Sequence, residues 1–170
     1  MKIYIIRYDP NSSSNKQYIY EAKNIGQYSQ NMTIPVQAFG MPENDTTEAI
    51  LTKAEGNTEK IQFSWIIKNE QYSPLLDSSY TPINSVTIGG NAYDPRTPDG
   101  AYRAFIHIFE KVGISSNEKY EFQLWDDDAN QNLLQRFGII SMISVSKGAQ
   151  DPATYNINIE FTVGTDVSVS

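Results

Sequence analysis

A run of alternation near the C-terminus, residues 137–164 (FGIISMISVSKGAQDPATYNINIEFTVG), restricts the fold more than any other stretch of the chain. Tyr155, Ile157, Ile159, Phe161 and Val163 recur at every second position, with Asn156, Asn158, Glu160 and Thr162 between them. Because side chains on a strand alternate sides, this is a strand with one dry face and one wet face. The first half alternates too, placing Ile139, Ile143 and Val145 (with the small Ser141) on one side and Ile140, Met142, Ser144 and Ser146 on the other. Both of its faces therefore need a cover, and for Ile140 and Met142 that cover is the helix or another chain. Gly148 and Pro152 in the intervening loop disfavour a continuing ladder, so the two strands are expected to pair antiparallel.

The rest of the chain supplies neighbours for this hairpin. Residues 3–8 (IYIIRY) are rich in β-formers and are followed by Asp-Pro and a Ser/Asn cluster, predicting a local hairpin with a second strand near 17–23. Residues 24–31 are polar around Gly26 and read as a loop. At 32–38 a short strand is expected, with Pro35 confining it to an edge. Residues 39–47 (FGMPENDTT) have no core pattern and read as a long exposed loop or arm. Residues 49–55 and 60–68 then form two β segments joined at Gly56-Asn57. In the second of these Ile61, Phe63, Trp65 and Ile67 alternate with Gln62, Ser64 and Ile66. Burying four such side chains contributes roughly 1.5–3 kcal/mol each before entropy, which predicts a strand in the interior of a sheet. Residues 69–84 are mostly loop, 86–88 a short strand closing at Gly89-Gly90, and 91–97 loop again.

One helix is predicted over 98–112. Thr97 is its N-cap, Pro98 its first residue, Asp99 sits in the first turn and Gly113 follows its end. Ala101, Phe105, Ile108, Phe109 and Val112 share one face, so the helix covers a sheet. Residues 119–126 (KYEFQLWD) alternate Tyr120, Phe122 and Leu124 against Glu121, Gln123 and Trp125, and lead through 127–130 into a closing meander. The expectation is one domain over residues 1–170, mainly β, an antiparallel sandwich or barrel with one flanking helix.

Composition removes several functions. The chain has 170 residues, no cysteine, one histidine and a formal net charge of −7. Disulfides, thiolate metal sites and a His-based triad are thereby excluded or disfavoured, and no cofactor is expected. An acidic chain lacks the basic face of a phosphate binder, though nucleic acid could pass without sticking. The first residues (MKIYIIRYDP) do not form a signal peptide and no apolar run suffices for a bilayer. Synthesis as a soluble cytoplasmic protein without membrane contact is expected. The Asn-X-Ser/Thr triplets at Asn11, Asn31 and Asn44 then read as polar loop residues.

Few constellations carry chemistry. Asp126, Asp128 and Asn130 have the spacing of a calcium loop, but its sixth and twelfth positions are Gln131 and Phe137, so a solvated turn is the better reading. Gly89-Gly90 precedes no helix, and the scattered carboxylates form no catalytic pair, so no enzyme is expected. His107 lies off the apolar stripe of the helix. Trp65 belongs to the core, whereas Trp125 is the better candidate for an exposed ring, at a subunit contact or on a sugar-stacking platform. The polar strand faces (Gln62, Ser64, Asn156, Asn158, Glu160, Thr162) suit a wet, slightly negative surface.

The runs YEFQLWD, FGIISMISVS and TYNINIEFTVG, with ILTKAEGNTEKIQFSWII before them, resemble the C-terminal part and central hairpin of tail tube and related baseplate proteins of tailed viruses and contractile injection systems. The resemblance implies rings of identical subunits, hexameric in the tube, whose inner sheets join edge to edge and whose rings stack into a conduit for DNA. It places the product in the virion tail after synthesis in the host cytoplasm, with other tail or baseplate proteins as partners. Gln62, Ser64, Asn156, Asn158, Glu160 and Thr162 become candidates to face the lumen. Met41, Pro42, Glu43, Asn44, Asp45, Thr46 and Thr47 become an inter-ring arm, and Ile140, Met142 and Trp125 further inter-subunit candidates. A baseplate or distal tail ring, and a carbohydrate-binding sandwich using Trp125, are the alternative expectations.

Overall fold

The computed structural model describes residues 1–40, 49–53, 58–109, 120–148 and 153–164. In chain order the strands are β1 (Lys2–Asp9), β2 (Ser12–Ala22), β3 (Ile25–Thr33), β4 (Val36–Gly40), β5 (Ala49–Lys53), β6 (Thr58–Ile67), β7 (Leu75–Leu76), β8 (Val86–Ile88) and β9 (Asn91–Tyr93). The helix α1 (Pro98–Phe109) follows, then β10 (Tyr120–Asp126), β11 (Gln131–Lys147) and β12 (Tyr155–Val163). Eight strands form one antiparallel sheet in the order β3-β6-β12-β11-β10-β1-β2-β7, and two small hairpins, β4-β5 and β8-β9, stand beside it. The predicted class, mainly β and antiparallel with one flanking helix, is the observed one; the sheet is sandwich-like and does not close into a barrel.

The sheet rolls up around its own apolar face. Phe63 on β6 and Phe122 on β10 are separated by two intervening strands, which in a flat sheet means about 14 Å. Their ring centroids are 5.4 Å apart, and Tyr28 on β3 reaches the same Phe122 at 6.3 Å. The alternating residues of β6 and β12 enter this interior: Ile61, Trp65, Ile157, Ile159 and Phe161 are all buried. Helix α1 lays Ala101, Ala104, Phe105, Ile108 and Phe109 against them, with Phe105 5.1 Å from Trp65 and 4.9 Å from Tyr20. Its start is as the sequence predicts, since the Gly100 amide donates to Thr97 Oγ1 at 3.1 Å. Residues 110–112, where the predicted helix continues to Val112, lie outside the described residues.

Four expectations change, besides the smaller one that Asn91–Tyr93, read as loop, pairs with β8 as β9. Residues 24–31 are not a loop: β3 occupies Ile25–Thr33 and pairs along β6, because a backbone edge accepts polar side chains as readily as apolar ones. Strand β5 does not pair with β6; it folds back on β4, and β6 takes β3 and β12 as neighbours. Phe39 and Gly40 therefore belong to β4, and the arm candidates Met41 to Thr47 lie outside the described residues. The third change is a register shift in β11 between Ile140 and Met142, opposite Phe161 and Glu160. One extra residue there reverses the alternation. Ile140 is thus buried in the core at 7% exposure and is not on the outer face, while Ile139 is 41% exposed. Met142 keeps its expected outer position, 47% exposed.

The fourth change is on β1 and β10, whose second faces are also dry. Tyr4, Ile6, Tyr8, Ile19 and Leu76 form a smaller cluster behind the sheet, joined by Trp125 and Phe137. The unbroken apolar run 3–6 was its signal in the sequence. Trp125 is consequently half-buried, edge-on to Tyr4 at 6.0 Å, with its Nε1 donating to Gln123 Oε1 at 2.8 Å. Trp125 is therefore part of this cluster and less exposed than the sequence suggests. Glu121, which alternates with the apolar residues of β10, is fully buried: Tyr8 Oη donates to its Oε2 at 2.5 Å and Gln135 Nε2 to its Oε1 at 2.6 Å, with Gln123 Nε2 as a further donor.

Candidate functional site: a polar sheet face with open edges

Four strands, β3, β6, β12 and β11, put their outward side chains into one continuous face. The registers align Ser29, Gln62, Glu160 and Met142 in one row, and Gln27, Ser64, Asn158 and Ser144 in the next. Ile66, Asn156 and Ser146 make a third, and Asn31, Lys60 and Thr162 a fourth. All six residues predicted to share a wet face are brought together here. Ser64 and Asn158 stand side by side in the second of these rows. With Gln27, Ser29, Gln62 and Met142 they line a depression of about 160 Å³.

The charge on this face is even, which departs from the slightly negative surface expected. Lys60 and Glu160 are its charged side chains among the described residues of these strands, and they pair at 2.9 Å. Gln62 Nε2 donates to Glu160 Oε2 at 2.8 Å, and Ser141 Oγ to Glu160 Oε1 at 3.0 Å. Thr162 Oγ1 in turn donates to Ser141 Oγ at 2.9 Å, so the shifted residue of β11 is tied into the same network. The Lys60 ammonium above all, then the Gln62 and Ser141 hydrogen bonds, hold the Glu160 carboxyl down at about 2.

A carboxyl depressed in the folded state adds stability that is complete above its unfolded value, near 4.5, and that is lost as the pH falls towards about 2. Glu160→Gln is accordingly expected to fold normally at neutral pH. Its thermal midpoint should fall less steeply than that of the parent between about pH 4.5 and 2, where only the parent protonates this group. The effect is modest, because the pair faces water. Parallel midpoint curves across that window would refute the assignment.

The edges of the face are as informative as its surface. Strand β3 is nine residues long and, among the described residues, pairs with β6 alone. Strand β11 is seventeen residues long, but β10 accompanies it only as far as Gly138, opposite Tyr120. From Ile139 onward its side away from β12 has no strand among the described residues. The far end of the sheet is different. There β7 has two residues, and its edge is stopped by the Leu76–Pro82 bridge and by the Ile83 amide donating to the Leu75 carbonyl at 2.8 Å. This contrast is not legible in the sequence, since strand length and neighbour are decided by the whole sheet.

Other candidates resolve into structural roles. Asp126 Oδ1 accepts the Asp128 amide at 3.0 Å, and Asp127 pairs with the N-terminal amine at 2.6 Å, which makes the acidic run a turn tied to β1. Gly89 and Gly90, at φ of 58° and 83°, form the tight connection of β8-β9. No group of three or more metal-ligating side chains occurs among the described residues, and no helix there is long and apolar enough to cross a membrane. What the fold and site define is an antiparallel β protein with a neutral, amide-rich sheet face between two edges that have no partner strand among the described residues. No family model and no curated protein matches the chain.

Proposed function

We propose that the protein is a structural subunit of a viral tail conduit, in which identical copies form a ring by rotation about an axis and turn the β3-β6-β12-β11 face to the channel. The observation that carries this reading is the combination of a polar face of even charge with a long strand at each side of it whose outer edge has no partner among the described residues. Open edges on a soluble β protein invite uncontrolled pairing, and proteins normally blunt or cover them. A closed ring removes them, because each copy completes the next. The lining also fits a passage. Retention of DNA depends on lysine and arginine contacts to phosphate, and the single lysine here is neutralised by Glu160, so a polyanion finds nothing to hold it.

The resemblance to tail tube proteins supplies the remainder of the proposal: six copies per ring, stacked rings, a place in the virion tail beside other tail or baseplate proteins, and DNA in transit only. Light scattering coupled to size exclusion tests it. The expected result is a fixed multiple of the 19.2 kDa chain, or longer polymers at higher concentration. A 19.2 kDa species at every concentration, alone and with tail partners, would remove the proposal. Copy number per particle separates a tube subunit, present in many rings, from a baseplate or distal tail subunit, present in one.

A further inference from the structure

We infer that the seam between copies is head-to-tail: residues 25–33 of one copy pair antiparallel with residues 139–147 of the next, an odd-numbered β3 residue standing opposite an even-numbered β11 residue. This rests on the ring reading and specifies the contact that reading requires. The first support is directional. Each neighbour in the series β3, β6, β12, β11 is antiparallel to the last, so β3 and β11 run in opposite directions. Rotation about a ring axis preserves strand direction, so the β11 edge of one copy meets the β3 edge of the next antiparallel, without a break in the alternation. A two-fold contact of β3 with β3 would also be antiparallel, but it leaves both β11 edges open.

The second support is burial. In the middle of the four strands the inward side chains are sealed, Ile61 and Ile157 at 0% exposure and Ile159 at 1%. At the two margins they are not: Tyr28 on β3 and Ile143 and Val145 on β11 are only partly buried against the same core. Among the described residues the apolar layer is thus unfinished at these two edges, and joining them brings Tyr28 beside Ile143 or Val145. The parity follows, because a shift of one residue would turn Tyr28 towards the polar face. With odd opposite even, Gln27, Ser29 and Asn31 extend the rows of Met142, Ser144 and Ser146.

The chain has no cysteine, so engineered thiols report only the chosen contact. Ser144→Cys is combined in turn with Gln27→Cys, Ser29→Cys and Asn31→Cys, the protein is treated with a short bis-maleimide, and the products are separated under denaturing conditions. The expected result is a ladder of covalent multiples from at least one double variant, ending at the ring size, and no ladder from any single variant. Efficient dimers from Ser29→Cys or Ser144→Cys alone would establish a two-fold contact and overturn the seam. So would the absence of a ladder from every double variant that light scattering shows to be a ring; in that outcome the ring reading stands without the seam. Monomers throughout would end both.

Discussion

Ile159→Asp is expected to leave the chain without a cooperative unfolding transition. Ile159 is 1% exposed on β12, directly between Phe63 of β6 and Ile143 of β11. Removing the isoleucine forfeits roughly 1.5–3 kcal/mol of burial. Placing an ionised carboxylate among these apolar side chains costs several kcal/mol more, or forces the group to remain protonated. Set against a total stability of about 5–15 kcal/mol for a domain, the sum is enough to unfold it. Ile159→Val is the control, expected to cost about 0.5–1.5 kcal/mol and to keep the transition. Far-UV circular dichroism during heating separates them. A sharp melt of the aspartate variant near the parent midpoint would contradict the place given to β12.

Gly138→Ala has the second largest expected effect, out of proportion to one methyl group. Gly138 is the residue at which β11 passes from β10 to β12, with Tyr120 opposite on one side and Val163 on the other. A Cβ there would lie 2.1 Å from the Thr162 carbonyl oxygen and 2.9 Å from Phe161 Cε1. The closest obstacle is backbone in a paired strand, so it cannot rotate away. The two strands must part locally or the alanine must strain. Overpacking of this kind costs about 1–3 kcal/mol or more, equivalent to a fall in thermal midpoint of at least about 2–4 °C for a chain of this size. Gly164→Ala is the matched control, since nothing lies within 4 Å of its Cβ position, and its midpoint should hardly move. Equal midpoints for the two variants would show that β11 and β12 do not approach as closely as described.

The elements that could be read in the sequence are those whose periodicity is set by a single dry face. Strands β12 and β6 and helix α1 each carry such a pattern, and Thr97 caps the helix as its side chain chemistry dictates. The polar face followed from the same two strands, since alternation fixes what lies opposite the core. Pairing partners were beyond the reach of periodicity. Nothing in the polar segment 25–33 announces a strand, because its place is secured by backbone bonds to β6, together with one packed ring, Tyr28. The shift at Ser141 was equally hidden: it moves Ile140 into the core and Ile139 out, and only the register against Phe161 and Glu160 exposes it. Glu121 illustrates the opposite failure. A polar residue between apolar ones looks solvent-facing, yet a second cluster behind β1 and β10 buries it, with Tyr8, Gln123 and Gln135 as donors.

Reconstruction of the assembled protein by cryo-electron microscopy tests most directly whether the polar face lines a channel. The account predicts a closed ring with an open centre, strand pairing continuous around it, and Gln62, Ser64 and Asn158 turned to the hole with helix α1 on the outside. A ring with α1 facing the centre and those three side chains on the rim, or particles that remain single chains under every condition, would contradict it.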